Sequence, residues 1–353
     1  MKTLTVALPG WDYDILIERG LLSRAGDLCK AALPRARKLA VVTDTNVGPL
    51  YADKVKAGLE QAGFSVQVTT LPAGEQTKCV DNLSLLWESF MTFGLTRTDA
   101  VVALGGGVIG DLAGFGASTV LRGVDFVQIP TTLLAQVDSS VGGKVAIDLK
   151  AGKNLAGAFW QPKLVLMDPD VLNTLSDKTF SDGMAEVIKY GCIWDEAFFA
   201  FLEQRPSRSE ITAEIEHVLY TCCNIKREVV VQDERDTGIR MLLNFGHTVG
   251  HAYELAGNYE LWTHGQAVAA GMVKAAELGL TLGVTPEGTG QRIAALLERF
   301  SLPTAINCTH EQYADAIGLD KKGAGDQISL ILLQTMGKAI PHKMPKAEVL
   351  NLL

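Results

Sequence analysis

The chain has 353 residues, 47% apolar and 20% charged, and its 32 Lys and Arg against 40 Asp and Glu give a net charge of −8. At about 150 residues per domain this length suggests two domains or one large one, with the composition of a folded rather than a disordered chain. The acidic balance argues against broad nucleic-acid or anionic-membrane binding, no run approaches the ~18 apolar residues of a membrane-spanning helix, and residues 1–10 carry too short an apolar stretch for a signal peptide. The six cysteines are scattered and form no C-x-x-C pair, which reads as reduced thiols of a cytoplasmic protein.

In chain order, five short apolar runs read as strands buried on both faces: 39–43 (LAVVT), 65–70 (SVQVTT), 100–104 (AVVAL), 125–129 (DFVQI) and 164–167 (LVLM). Helical patterns at 51–62 and 80–93 lie between them, so the first half is expected to be α/β with a mainly parallel sheet. Beyond about residue 170 the pattern changes. Residues 178–192, 209–232, 248–255, 265–282 and 290–300 show helical periodicity, and 328–333 (ISLILL) stands out as a strand. The expected division is 1–174 and 175–353, the second part mainly α-helical.

Residues 105–110 (GGGVIG) match G-x-G-x-x-G after a strand and at the start of a helix, where backbone N–H groups can meet a pyrophosphate. A plain strand-to-helix turn is the other reading. Asp44 and Asn46 after an earlier strand, and Thr131 and Thr132 after a later one, favour a dinucleotide site, because ligands of open α/β sheets lie beyond the carboxyl ends of the strands.

In the second half His247 and His251 are spaced i, i+4, with Asn244 and Arg240 further back, and one continuous helix face is expected to carry all four. Glu186 and Lys189 sit i, i+3 on another apolar helix. Glu186, His247 and His264 form the best trio for an open zinc site, which leaves His251 for proton transfer. Exposed histidines and a helical salt bridge are the alternative. Arg122, Lys144, Lys153, Lys189, Lys226, Arg240, Lys321 and Lys322 are cations beside Gly, Asn or Asp that can gather around phosphate and carboxylate, or simply face solvent.

Together GGGVIGDLAGFGAS (105–118), RGVDFVQIPTTLLAQVDSSVGGK (122–144), GKNLAGAFWQP (152–162), DGMAEVIKYG (182–191) and LNFGHTVGHA (243–252) resemble the 3-dehydroquinate synthase family of the sugar-phosphate cyclase group. The resemblance implies a Rossmann-like N-terminal domain, a helical C-terminal domain, bound NAD, one divalent metal (zinc first, cobalt second) and a homodimer. It implies Glu186, His247 and His264 as metal ligands. For NAD it implies Asp44, Asn46, Glu75, Lys78, Gly106, Gly107, Val108, Asp111, Thr131, Thr132, Leu134, Asp138, Ser139 and Lys153. For substrate and catalysis it implies Lys144, Asn154, Lys189, Lys226, Arg240, Asn244, His251 and Lys321 together with Asp138, while Arg122 resembles an arginine that reaches the neighbouring subunit's phosphate site. Gln266 departs from the acidic residue common after His-Gly, and 145–148 (VAID) departs from the usual Thr-Gly-Ile-Asn.

The implied substrate is a sugar phosphate bearing a carboxylate, 3-deoxy-D-arabino-heptulosonate 7-phosphate. The implied course is transient oxidation by NAD, phosphate elimination, re-reduction, ring opening and intramolecular aldol closure, with no net oxidation. Other cyclases acting on glucose 6-phosphate or sedoheptulose 7-phosphate, an NAD- and metal-dependent polyol dehydrogenase, and a non-catalytic binding protein are the competing readings.

Overall fold

Seven strands form the main sheet, and the five apolar runs read from the sequence are five of its six mutually parallel strands. The computed structural model describes residues 1–319 and 326–353. The chain divides into two compact units, Met1–Leu175 with Lys226–Arg235, and Ser176–Ile225 with Asp236–Leu353. The stretch Lys226–Arg235 is thus grouped with the first unit, whereas a single division at 174/175 assigns it to the second.

The first unit runs β1 (Lys2–Val6), β2 (Tyr13–Ile17), α1 (Ala25–Ala32), β3 (Lys38–Asp44), α2 (Gly48–Gln61), β4 (Ser65–Leu71), α3 (Val80–Thr92), β5 (Ala100–Gly105), α4 (Gly107–Thr119), β6 (Asp125–Pro130), β7 (Lys144–Leu149), β8 (Gly152–Phe159) and β9 (Leu164–Met167). The sheet order is β1-β2-β9-β6-β5-β3-β4. All its neighbours pair in parallel except β1 with β2. β5 is fully buried from Ala100 to Gly105, as expected of a central parallel strand covered on both faces. Strands β1 and β2 escape the sequence pattern because β1 alternates exposed and buried residues at the sheet edge. The hairpin β7–β8 escapes it because its second strand is built largely from Gly, Ala and polar residues.

The second unit contains α5 (Asp177–Ile193), α6 (Glu196–Glu203), α7 (Arg208–Ala213), most of α8 (Ile215–Gln232), α9 (His247–Ala256), α10 (His264–Thr281), α11 (Thr289–Arg299), α12 (His310–Leu319), the hairpin β10 (Gln327–Thr335) with β11 (Lys338–Pro345), and α13 (Lys346–Leu352). It is mainly helical, as the periodicity implies. The pattern over 209–232 is two helices rather than one, since Glu214 leaves helical geometry at φ −109°, ψ 18°. Strand β11 is hidden in the sequence by Pro341 and Pro345. A two-stranded sheet tolerates them because each strand is an edge. No disulfide joins the six cysteines.

One buried carboxylate ties the start of β3 to the turn before β5. Asp99 accepts from the backbone N–H groups of Arg37 (2.9 Å), Lys38 (2.8 Å) and Thr96 (2.8 Å) and from the Thr96 hydroxyl (2.7 Å). Burial pushes its pKa up, but these four donors outweigh burial and hold it below the usual carboxylate range. A depressed native pKa stabilises the fold above the unfolded value of ~4, and that contribution is lost as pH falls through the native value. Asp99→Ala should therefore cost about 3 kcal/mol at pH 7 through unpaired buried donors. In denaturant melts the gap from the parent should narrow below pH ~4. A gap independent of pH would show that the carboxylate charge is not what stabilises this junction.

Candidate active site

In the first unit the candidate cofactor residues gather at the carboxyl ends of three adjacent strands. Asp44 ends β3 and accepts from the N–H groups of Asn46 (2.8 Å) and Val47 (2.9 Å). Gly106 is the extended residue before α4. A Cβ at Gly106 would come 3.1 Å from the Thr132 methyl, and one at Gly107 would come 3.0 Å from the Ser139 hydroxyl. The turn 106–108 is thereby pressed against Thr132 and Ser139, with Leu134 leading into the π-helical turn Ala135–Ser139. Thr131 is buried, its N–H donates to Gly105 (2.9 Å), and its hydroxyl has no hydrogen-bond partner. A glycine-lined turn beside an unsatisfied buried hydroxyl fits a ligand with closely approaching oxygens, such as a pyrophosphate.

A charged cluster flanks this edge. Buried Lys78 lies 2.9 Å from Asp111 and 3.6 Å from Glu75, and Lys153 lies 3.3 Å from Glu75. Burial lowers the Lys78 pKa, but Asp111 and Glu75 overcome this and hold the ammonium above its ordinary range. Burial pushes Asp111 up. Glu75 is held down despite burial, by Lys78 and Lys153. Asp148, the departure from the family's usual Asn, donates its N–H to the Lys78 carbonyl (2.8 Å) and accepts from the Asn154 N–H (2.7 Å). It pins the β7–β8 hairpin to the Lys78 loop and sets exposed Asn154, which has φ 56°. Buried Lys226 donates to the Asp138 carboxylate (2.9 Å) and carbonyl (2.6 Å).

In the second unit three helices meet at one carboxylate. Glu186 on α5 is fully buried and paired with Lys189 one turn on, itself 1% exposed. Its Oε1 faces His247 Nε2 at 3.4 Å and His264 Nε2 at 3.3 Å. One donor atom from each of the three lies within 4.8 Å of the others, and among the described residues this is the one such group of three. Burial pushes Glu186 up, but Lys189 and His247 hold it well below the carboxylate range. Burial also lowers both imidazoles. Lys189 adds to this for His247, whereas the carboxylates of Glu186 and Glu254 hold His264 up at about 10. One carboxylate and two imidazole nitrogens facing a common point fit an open divalent-metal site, and a cation there would take the place of the shared proton.

The continuous helix face expected to carry Arg240, Asn244, His247 and His251 is interrupted. Arg240 and Asn244 lie in the 3₁₀ turn Ile239–Asn244, and α9 starts only at His247. Gly246 between them is left-handed at φ 77°, and a Cβ there would strike Met272 and the Val268 carbonyl on α10. Arg240 and Asn244 therefore do not extend the helix face of His247 and His251. Those two do share α9, with ring centroids 5.7 Å apart, and His251 is exposed.

Two family models match the chain, 3-dehydroquinate synthase N-terminal over residues 68–182 and 3-dehydroquinate synthase C-terminal over 183–323. The 3-dehydroquinate synthase of Clostridium botulinum (strain Alaska E43 / Type E3) is 48% identical over 340 residues, 96% of this chain and 97% of that one. The chain belongs to the 3-dehydroquinate synthase family. Two solved structures share its fold. One is the 2-epi-5-epi-valiolone synthase of Streptomyces hygroscopicus subsp. jinggangensis 5008 with NAD⁺ and Zn²⁺ bound (TM-score 0.88, 25% identity, 98% and 97% of the two chains). The other is 2-deoxy-scyllo-inosose synthase complexed with carbaglucose-6-phosphate, NAD⁺ and Co²⁺ (TM-score 0.88, 24% identity, 99% of each chain).

Within this 3-dehydroquinate synthase framework the remaining predicted residues are dispersed. Lys144 is exposed at the start of β7. Arg122 is exposed after α4 in a turn where Leu121 and Arg122 are both left-handed, at φ 51° and 66°. Lys321 and Lys322 lie outside the described residues. Gln266, the other departure, closes a capping box with Thr263 that starts α10 at His264, a task that needs no acidic charge. Glu254 and Asp182 are absent from the sequence reading. Glu254 is buried 3.5 Å from His264 Nδ1, and Asp182 accepts from the Gly265 N–H (2.7 Å). Only the i, i+3 and i, i+7 offsets of Glu254 from His251 and His247 hinted at it.

Gly265 sits so close that an added Cβ would strike the Asp182 backbone carbonyl on α5. Gly265→Ala should destabilise the protein by about 2 kcal/mol through forced separation of α5 and α10. Denaturant unfolding within ~0.5 kcal/mol of the parent would mean the helices are not held at this contact.

Proposed function

We propose that this chain is a 3-dehydroquinate synthase, converting 3-deoxy-D-arabino-heptulosonate 7-phosphate into 3-dehydroquinate and inorganic phosphate. The observation that carries the reading is the buried Glu186 facing His247 and His264 and paired with Lys189, in a chain matched in both halves by this family. Glu186, His247 and His264 would hold the metal, for which zinc is our assignment. The edge formed by Asp44, Asn46, Gly106, Gly107, Val108, Thr131, Thr132, Leu134, Asp138 and Ser139, with the Glu75, Lys78, Asp111 and Lys153 cluster, would hold NAD. When bound, NAD supplies a hydride acceptor that is regenerated, and the metal supplies a Lewis acid to a substrate hydroxyl.

The chain's own residues do the rest. Buried Arg240 anchors the carboxylate, because a planar guanidinium matches a carboxylate bidentately. Asn244 donates to a phosphate oxygen, and Lys144, Arg122 and Lys321 add charge-assisted donors to phosphate. Lys189, Lys226 and Asn154 orient ring hydroxyls and the carboxylate. His251 on the exposed side of α9 takes and returns the proton of the oxidised hydroxyl. The proton lost with phosphate departs to the leaving group's own oxygen, since the site residues fix that oxygen beside it. In this reading the enzyme is a homodimer, as the family resemblance implies, and cytoplasmic, as its scattered cysteines suggest.

The test follows phosphate and NADH absorbance together, using the heptulosonate phosphate, NAD and zinc. Phosphate release without NADH build-up, abolished by a chelator, is expected. NADH build-up without phosphate release would make the protein a polyol dehydrogenase instead. His247→Ala should lose bound metal and more than ~100-fold in turnover, beyond the range of an outer-shell change, while the first unit keeps its fold. Full activity in a metal-free preparation of that variant would overturn the metal assignment.

A further inference from the structure

Both imidazoles that face Glu186 are held from behind. His247 presents Nε2 to Glu186, and its Nδ1 lies 3.1 Å from the Phe245 carbonyl oxygen. His264 likewise presents Nε2 to Glu186, and its Nδ1 lies 3.5 Å from Glu254 Oε1. The Phe245 carbonyl only accepts, so it selects the tautomer of His247 with Nδ1 protonated and the Nε2 lone pair facing inward. The Glu254 carboxylate, 3.5 Å from His264 Nδ1, likewise favours a proton on Nδ1 and leaves Nε2 as the atom directed at Glu186.

The geometry points to Glu254 as the positioning residue for His264, fixing the ring with Nε2 directed at the Glu186 oxygen and strengthening that nitrogen as a metal donor. Three features make the residue suited to this. Glu254 is buried, 4% exposed, where a carboxylate is costly to keep unless it has a partner. It lies on α9, the helix that also carries His247, so one rigid element holds one ligand directly and steers the other. His264 is the first residue of α10, and its side chain remains 29% exposed. The capping box of Thr263 and Gln266 fixes the backbone of that residue, and the Glu254 carboxylate fixes its side chain. The same contact deepens the proposed function and rests on its metal reading.

The experiment measures Co²⁺ and Zn²⁺ affinity by chelator competition, with the Co²⁺ ligand-field spectrum, in the full-length protein and in Glu254→Gln, Glu254→Ala and His264→Ala. Thermal unfolding of each metal-free variant is recorded alongside. Glu254→Ala is expected to bind metal about 10- to 100-fold more weakly, as for other partners of ligating imidazoles, with an altered Co²⁺ spectrum. The glutamine amide oxygen still accepts from Nδ1–H but without charge. Glu254→Gln is therefore expected to recover part of the loss, about 3- to 10-fold weaker than the parent, with metal-free melting unchanged. A purely structural role would shift melting and leave the spectrum of the folded fraction intact. Parental affinity and spectrum in Glu254→Gln overturn the inference, whether or not Glu254→Ala folds. Parental affinity in His264→Ala would instead overturn the metal reading on which it stands.

Discussion

A fully buried carboxylate must be compensated, and the second unit is organised around that requirement at Glu186. Removing the charge of an isolated carboxylate from water costs several kcal/mol or more. Lys189 on the same helix supplies one compensating charge, and His247 and His264 bring two imidazole nitrogens to within 3.4 Å and 3.3 Å. Lys189 neutralises Glu186 only in part of its coordination sphere, so the opposite oxygen remains the natural place for a cation. The ion pair is thus less a source of stability than a means of keeping Glu186 ionised beside the two imidazoles.

That arrangement depends on backbones approaching more closely than side chains allow. Gly265 abuts Asp182 of α5, Gly250 abuts Ala267 of α10, and left-handed Gly246 lies under Met272. Small residues at these crossings bring α5, α9 and α10 together so that Glu186, His247 and His264 converge. The left-handed turn at Gly246 has a second consequence. It ends the 3₁₀ turn bearing Arg240 and Asn244, so those residues do not continue the helix face of the two histidines.

The first unit meets a different constraint, the balancing of inward-lying cations in an acidic protein. Its means are local. Backbone N–H groups at the start of α4, a hydroxyl left without a partner at Thr131, and cations whose charge is balanced in place by Glu75 and Asp111 gather polar groups without making the surface basic. The proposed phosphate binding would not conflict with the net charge of −8, because a few local groups and not the average charge would set it.

The parallel strands, the glycine-rich turn and the trio of Glu186, His247 and His264 were all legible in the sequence. Strong apolar periodicity and rare polar residues in apolar settings survive any tertiary context. The edge pair β1–β2, the β7–β8 hairpin and strand β11 were not legible. Their alternating, small or proline-bearing sequences are stable only beside the partners that the fold supplies. The break at Gly246 was also hidden, because a left-handed glycine and a helical one look alike until a neighbouring helix is known to press against it. Glu254 was invisible as a partner of His264, since ten residues and a turn separate them in sequence and only the packing of α9 on α10 brings carboxylate and imidazole within 3.5 Å. The sequence determined which chemistry was present, and tertiary packing decided which of those groups face one another, because contact depends on helix approach that no local pattern records.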